Sequence, residues 1–301
     1  MTSAQGPAGA RRRLGAELRR LRSNCGLHLD VVAERMNCST SKISRLETGK
    51  GSPKLADVQK LMEIYDVSSE TEHDMLMRLA RDSRGHGWWE SYTDGITPER
   101  FVLDDSNRYT ALEADAIAVR TFDIVAVHGL LQTADYARAV VGALLPQHST
   151  EQIEQLVALR LKRQEALIRR PDPLRYSAVI DESVLRRAIG GAEVMVEQLR
   201  FLLQVMRLPH VELRILPFEA GMHRAHAGRF AILDFRDELG PSVVYVEGPA
   251  GDSYLDAESD VAVYQDVLAD AADRSLDPAA SSDLIDRYLA VHAPQRRKAT
   301  P

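Results

Sequence analysis

At 301 residues, with 45 % hydrophobic and 27 % charged, the chain has the length of about two domains and an ordinary folded composition, which sets aside fibrous and disordered classes. Charge-free stretches such as 139–150 fall short of the roughly 20 apolar residues of a membrane span, and the basic start MTSAQGPAGARRR has no apolar run behind it. Two cysteines, Cys25 and Cys38, make no disulfide framework, so the expected setting is the reducing cytoplasm, with no membrane partner. The net charge of −6 hides an asymmetry: residues 1–60 hold 12 Lys and Arg against 5 Asp and Glu, a surplus of seven, so the remainder carries −13. A basic head on an acidic body is the pattern expected when only the head meets a polyanion.

In chain order, residues 1–10 are small and Gly/Pro-bearing and read as a disordered tail. From 11 to 83 apolar residues recur at helical spacing in five bursts, led by Leu14, Leu29, Ile43, Leu55 and Met75. Ser52-Pro53 reads as the cap and first-turn proline of the fourth helix. Residues 84–107, with Gly85, Gly87, Trp88, Trp89, Gly95 and Pro98, read as a linker that the tryptophans pack down. Residues 108–293 read as one regulatory domain. Helices are expected near 112–119, 133–145, 149–169, 193–207, 260–273 and 282–291, with a capping box of Ser149 and Gln152. Strands are expected at 175–180, 211–216, 229–235 and 243–246, and 294–301 reads as a basic tail.

The segment from Gly26 to Lys50 carries the sharpest signal. Two helices crossing steeply need a small residue at their contact, and Ala33 supplies it. Asn37 suits the left-handed turn that ends the first helix, Ser39 is a sound cap for the second, and Gly49 ends it. Ile43 and Leu46 anchor the second helix and leave Thr40, Ser41, Ser44 and Arg45 on its outer side. The segment closely resembles the repressor/Cro-type, or Xre, helix-turn-helix family. That resemblance implies double-stranded DNA as partner, with the second helix in the major groove. Arg45 is then the candidate for two hydrogen bonds to guanine, with Thr40, Ser41 and Ser44 as less selective base readers. His28, Ser39, Lys42 and Lys50 are the candidate phosphate contacts. The family also pairs an arginine late in the first helix with a glutamate after the recognition helix, and Arg22 and Glu47 occupy those positions, which implies a structural ion pair.

Further on, Tyr109–Ala116, Gly129-Leu-Leu-Gln-Thr-Ala-Asp-Tyr-Ala-Arg138, Arg160-Leu-Lys-Arg-Gln164, Asp181–Arg187 and Val243–Glu247 resemble a large actinobacterial regulator family. In it the same helix-turn-helix precedes a toxin–antitoxin-like domain of uncharacterised chemistry. The resemblance spans about Gly15 to Ala290 and implies a small partner protein encoded by a neighbouring gene. Val127-His128-Gly129 replaces the family's usual Val-Pro-Gly, which implies a less rigid loop. The expected fold is therefore α+β: an all-α five-helix repressor/Cro-like N-terminal domain followed by a mixed α and β domain with a small sheet. A homodimer on a palindromic operator is expected, since one short recognition helix reads too few base pairs.

Enzyme readings are weaker. His223 and His226 with Glu219 suit a polar loop better than a metal site, and no metal or other cofactor is expected. Asp181-Glu182 reads as the start of a short helix, where acidic side chains suit the dipole, and no nucleophile elbow or phosphate loop is present. Cys25 and Cys38 read as small buried thiols, and Arg160, Lys162, Arg163, Arg169 and Arg170 as a solvated helix face. The chain is expected not to be an enzyme. An antitoxin-like scaffold that sequesters a partner, and an enzyme fused to a DNA-binding head, remain the alternatives.

Overall fold

The computed structural model describes residues 6–51, 53–96, 108–248 and 251–293. The chain divides into two compact units: Met1–Glu90 with Arg108–Ala116 and Phe235–Pro241, and Ser91–Asn107 with Ile117–Asp234 and Ser242–Pro301.

The first unit contains α1 (Pro7–Asn24), α2 (Leu29–Met36), α3 (Thr40–Glu47), α4 (Leu55–Ile64), α5 (Glu70–Asp82) and, from further along the chain, α7 (Arg108–Asp115); a one-turn α6 (Glu90–Thr93) begins at its boundary. Its core is built by the helical stripes Leu14, Leu18 and Leu21, Val32, Ala33 and Met36, Ile43 and Leu46, Val58, Leu61 and Met62, and Leu76 and Leu79. Each helix of the five is short and amphipathic, so its stability comes from this shared apolar face and not from intrinsic propensity.

Several sequence expectations need correction here. The tail of 1–10 is not wholly disordered: α1 starts at Pro7, and Ala8, Gly9 and Ala10 are buried. The reason lies over a hundred residues away, where the Asp115 carboxylate accepts from the amides of Gly6 at 3.2 Å and Gly9 at 2.6 Å, closing the open helix end. Burial, the largest influence, holds the Asp115 pKa above the ordinary carboxylate range despite those two bonds. Helix α4 is capped by Lys54, not Ser52, which lies outside the described residues, and Pro53 stands before the helix. Within 84–107, Trp89 and Ile96 are buried, while 97–107 lies outside the described residues, as does the 294–301 tail. Cys25 is exposed, its thiol directed at the Tyr65 carbonyl.

The second unit is a mixed sheet of β1 (Ala118–Asp123), β2 (Arg175–Asp181), β3 (Val211–Leu216), β4 (Phe230–Asp234), β5 (Val243–Val246) and β6 (Ser253–Leu255), in the order β3-β2-β1-β4-β5-β6. Strands β1, β2 and β3 run parallel; β4, β5 and β6 add antiparallel on the other side of β1. The parallel pairs are connected through α8 (Ala134–Leu144) and α9 (Thr150–Gln164), then α10 (Glu182–Arg186) and α11 (Ala192–Val205), as parallel neighbours require long crossovers. Helices α12 (Glu258–Asp273) and α13 (Pro278–His292) close the chain. Alternate residues Phe122, Val179, Phe230, Ile232 and Val244 pack with Val261, Leu268 and Ala271 of α12 on one face of the sheet.

The helix expected at 112–119 is in fact the end of α7 followed by β1, so the central strand of the sheet was hidden in a helical reading. Its Arg120 sits on the α12 face and forms two 2.8 Å bonds with Asp234 of neighbouring β4. Strand β6 adds a sixth to the four expected strands plus β1. The Ser149–Gln152 capping box is present. Asp181 caps α10 by accepting from Ser183 N at 2.9 Å, and Glu182 is tied to Phe218 N and to the Tyr288 hydroxyl.

Candidate nucleic-acid interface

In the first unit, α2 and α3 meet at a tight turn. Ala33 is 3 % exposed, small enough for α3 to cross closely. Asn37 ends α2 in the left-handed region at φ 52°, and the amide of Cys38 still reaches the Ala33 carbonyl at 2.9 Å. Ser39 caps α3, its Oγ accepting from Lys42 N at 3.2 Å. Gly49 takes φ 66° just after the helix, where its Cα lies against α1 near Arg12.

Because Ile43 and Leu46 are buried, the opposite side of α3 must face water. Thr40, Ser41 and Arg45 are exposed and Ser44 is half-buried. Of the candidate phosphate contacts, His28 and Lys50 are exposed, and Ser39 keeps its O–H as a donor while its oxygen serves the cap. Lys42 is held by Asp57 of α4 at 2.8 Å, and that bond is the main reason its pKa stands above the ordinary lysine value. A phosphate would have to compete with this carboxylate for Lys42. The exposed row therefore runs from His28 through Thr40 and Ser41 to Arg45 and Lys50, with Lys42 tethered beside it.

What holds α3 at this angle is largely α1. Arg22 donates from Nε to Glu47 Oε1 at 2.7 Å and from Nη2 to Oε2 at 3.0 Å, and from Nη1 to the Leu27 carbonyl at 2.8 Å. The two side chains are 14 % and 5 % exposed, so the fork is largely screened from water. Its hydrogen bonds with Glu47 are the first cause of the raised Arg22 pKa. Near it the Tyr65 hydroxyl is buried without a partner among the described residues, and its pKa is raised by burial first and Glu47 second.

Two positioning residues escaped the sequence reading. Gly15 lies where α1 meets the end of α3: a Cβ there would stand 2.6 Å from the carbonyl oxygens of both Leu46 and Glu47. Arg12 donates to the carbonyls of Leu239 at 2.9 Å and Pro241 at 2.5 Å and lies 4.0 Å over the Phe235 ring, fixing 235–241 to α1 within this unit. A glycine inside a helical pattern is the visible trace of the first; the second has no local signal.

Among the described residues no group of His, Cys, Asp and Glu is arranged to hold a metal ion, and no helix is long and apolar enough to cross a membrane.

Comparison with known protein families finds a helix-turn-helix domain over residues 13–76, which covers α1 to most of α5 and makes the chain a DNA-binding regulator. A second family model, the domain of unknown function DUF5753, matches residues 106–287. No curated protein and no solved structure gives a significant match. With that model spanning more than half of the chain, the protein belongs to the DUF5753 family, its family domain set behind an N-terminal helix-turn-helix.

Proposed function

We propose that the chain is a sequence-specific transcription regulator of the Xre type that acts by binding and not by catalysis, as a homodimer on a palindromic operator. The observation that supports this reading most is the division of α3: Ile43 and Leu46 in the core, Thr40, Ser41 and Arg45 on the outer side. A helix presented in this way enters the major groove with its N-terminal half, where Arg45 donates to guanine O6 and N7 and Thr40, Ser41 and Ser44 make shorter-range base contacts. His28, Ser39 and Lys50 sit where phosphates flank the groove, and Lys42 joins them by leaving Asp57. Arg22 and Glu47 touch no DNA in this reading; they set the angle of α3. The second unit controls activity through a small molecule or a partner protein, and the setting is the bacterial cytoplasm.

The test is fluorescence anisotropy on the DNA upstream of the protein's own gene, across a salt series with random-sequence competitor. Binding that resists competitor and weakens with salt is expected, because each phosphate contact releases counterions. Absence of binding at low salt would overturn the reading.

A further inference from the structure

We propose that the face of the second unit's sheet opposite α12, at the carboxyl end of β1, binds a small organic acid that also carries a hydroxyl or amino group. The acid lies against Arg160 and the hydroxyl or amino group donates to Asp123. The proposal concerns the second unit alone and stands or falls independently of DNA binding.

The place is set by topology. From β1 the chain builds β2 and β3 outward on one side, then returns to lay β4, β5 and β6 on the other. Open sheets leave a crevice outside the carboxyl ends of their strands where the winding reverses, and here that point is the end of β1. Phe122 faces α12, so its neighbours Thr121 and Asp123 face the other way. Asp123 is 1 % exposed. Its Oδ2 accepts from Thr121 at 2.8 Å, while its Oδ1 has no partner among the described residues. A fully buried carboxylate oxygen without a donor is rare and costly, and calls for one. Arg229 and Glu247, paired at 2.9 Å, are the charges that act on this carboxylate.

The wall of the site is the loop before α8, held by α9. Val127 and His128 are 2 % and 3 % exposed, so the expected looseness of this loop is not found. Gln132 Nε2 donates to the Val127 carbonyl at 2.6 Å, Gln164 to the carbonyls of Gly129 and Gln132, and Gln198 of α11 to Leu131. His128 lies on the Tyr176 ring at 5.6 Å, and the Tyr176 hydroxyl is 3.0 Å from Thr121 Oγ1. Arg160 and Arg163 turn toward this loop and are not the solvated face expected from sequence: Arg160 donates to the neutral amide of Gln132 at 2.5 Å, and the Arg163 guanidinium packs over Gly129.

Charge makes the class of ligand definite. Arg160, Arg163 and Arg229 all act on His128 and, with burial, hold its imidazole neutral. Arg160 feels two other guanidinium groups against the single carboxylate of Glu247, and burial with those neighbours lowers its pKa to about 10. The Tyr136 hydroxyl stands between the two halves of the site, since Asp123 and Arg160 both act on it. Asp252 lies farther out, bonded to the Tyr245 hydroxyl at 2.9 Å. An acid group beside Arg160 offsets the local surplus of positive charge, and a hydroxyl or ammonium on the same molecule meets Asp123 Oδ1.

The test is titration calorimetry of the full chain with L-malate, L-lactate and L-glutamate, with succinate as the acid that lacks the donor. Saturable binding of at least one of the three, tighter than succinate and weakened about tenfold or more by both Arg160→Gln and Asp123→Asn, is the expected result. Melting curves without ligand separate a binding role from a structural one: Asp123→Asn should melt at the parent temperature or above. No binding of the three acids, binding that survives both substitutions, or a several-degree loss of Tm in ligand-free Asp123→Asn would each overturn the proposal. DNA binding measured in parallel reports on the regulator reading and leaves this one untouched.

Discussion

Removing the Glu47 carboxylate should cost the first unit about 3 kcal/mol, at the lower end of the ~3–5 kcal/mol seen when one partner of a buried ion pair is deleted. Arg22 would keep its bond to the Leu27 carbonyl but lose both bonds to Glu47, at 2.7 and 3.0 Å. Because its side chain is 14 % exposed, one freed nitrogen can still find water, which places the cost at that lower end. Against a total stability of about 5–15 kcal/mol such a loss is large. The assay is native-state hydrogen exchange in the full chain, following the amides of Ile43 and Leu46, which report opening of α3 within the unit. Glu47→Ala should accelerate their exchange by about a hundredfold, which is ~2.7 kcal/mol. Replacing both partners, Arg22→Met with Glu47→Leu, should recover most of the loss, because no charge is then left without a partner. A change below about 1 kcal/mol in Glu47→Ala, or no recovery in the double variant, would refute the view that this pair orients the recognition helix.

Arg45→Ala should leave the fold unchanged, weaken operator binding by about 1–3 kcal/mol and relax the preference at one base pair; a uniform loss on all sequences would show that Arg45 touches only phosphate. Gly15→Ala gains about 1 kcal/mol of helix propensity but drives a methyl against two carbonyl oxygens, so a net loss of about 1–3 kcal/mol is expected by urea unfolding, and an unchanged midpoint would show that α1 and α3 can separate at little cost. Burial pushes the Asp123 pKa up to about 6 against the attraction of Arg229, so the folded state binds this proton more tightly than the unfolded chain. Its contribution is favourable in acid and is lost as pH rises from the unfolded value of about 4 through 6, a fall of about 3 kcal/mol. Urea midpoints of the parent minus those of Asp123→Asn across that window should trace the fall, and a flat difference would mean Asp123 titrates normally.

The amino-acid sequence by itself determined the helix-turn-helix. A cap, a left-handed Asn, an apolar stripe and a terminating Gly all act within a few residues of where they stand, so Ser39, Asn37, Ile43, Leu46 and Gly49 are legible in order along the chain. The strands at 175–180, 211–216 and 243–246 were legible for the same reason, since β-branched runs between turn residues declare themselves locally. Only the tertiary structure decided the rest. Strand β1 hid behind α7 because it is central: Val119 and Phe122 are buried on opposite faces, so it carries no clean alternation. The start of α1 depends on Asp115, and the anchoring of 235–241 on Arg12, partners more than a hundred residues apart with no local trace. Arg160 and Asp123 likewise read as ordinary surface charges until the sheet and α9 enclose them. Burial turns a charge into a demand for a partner, and burial is a property of the packed chain, which no window of sequence contains.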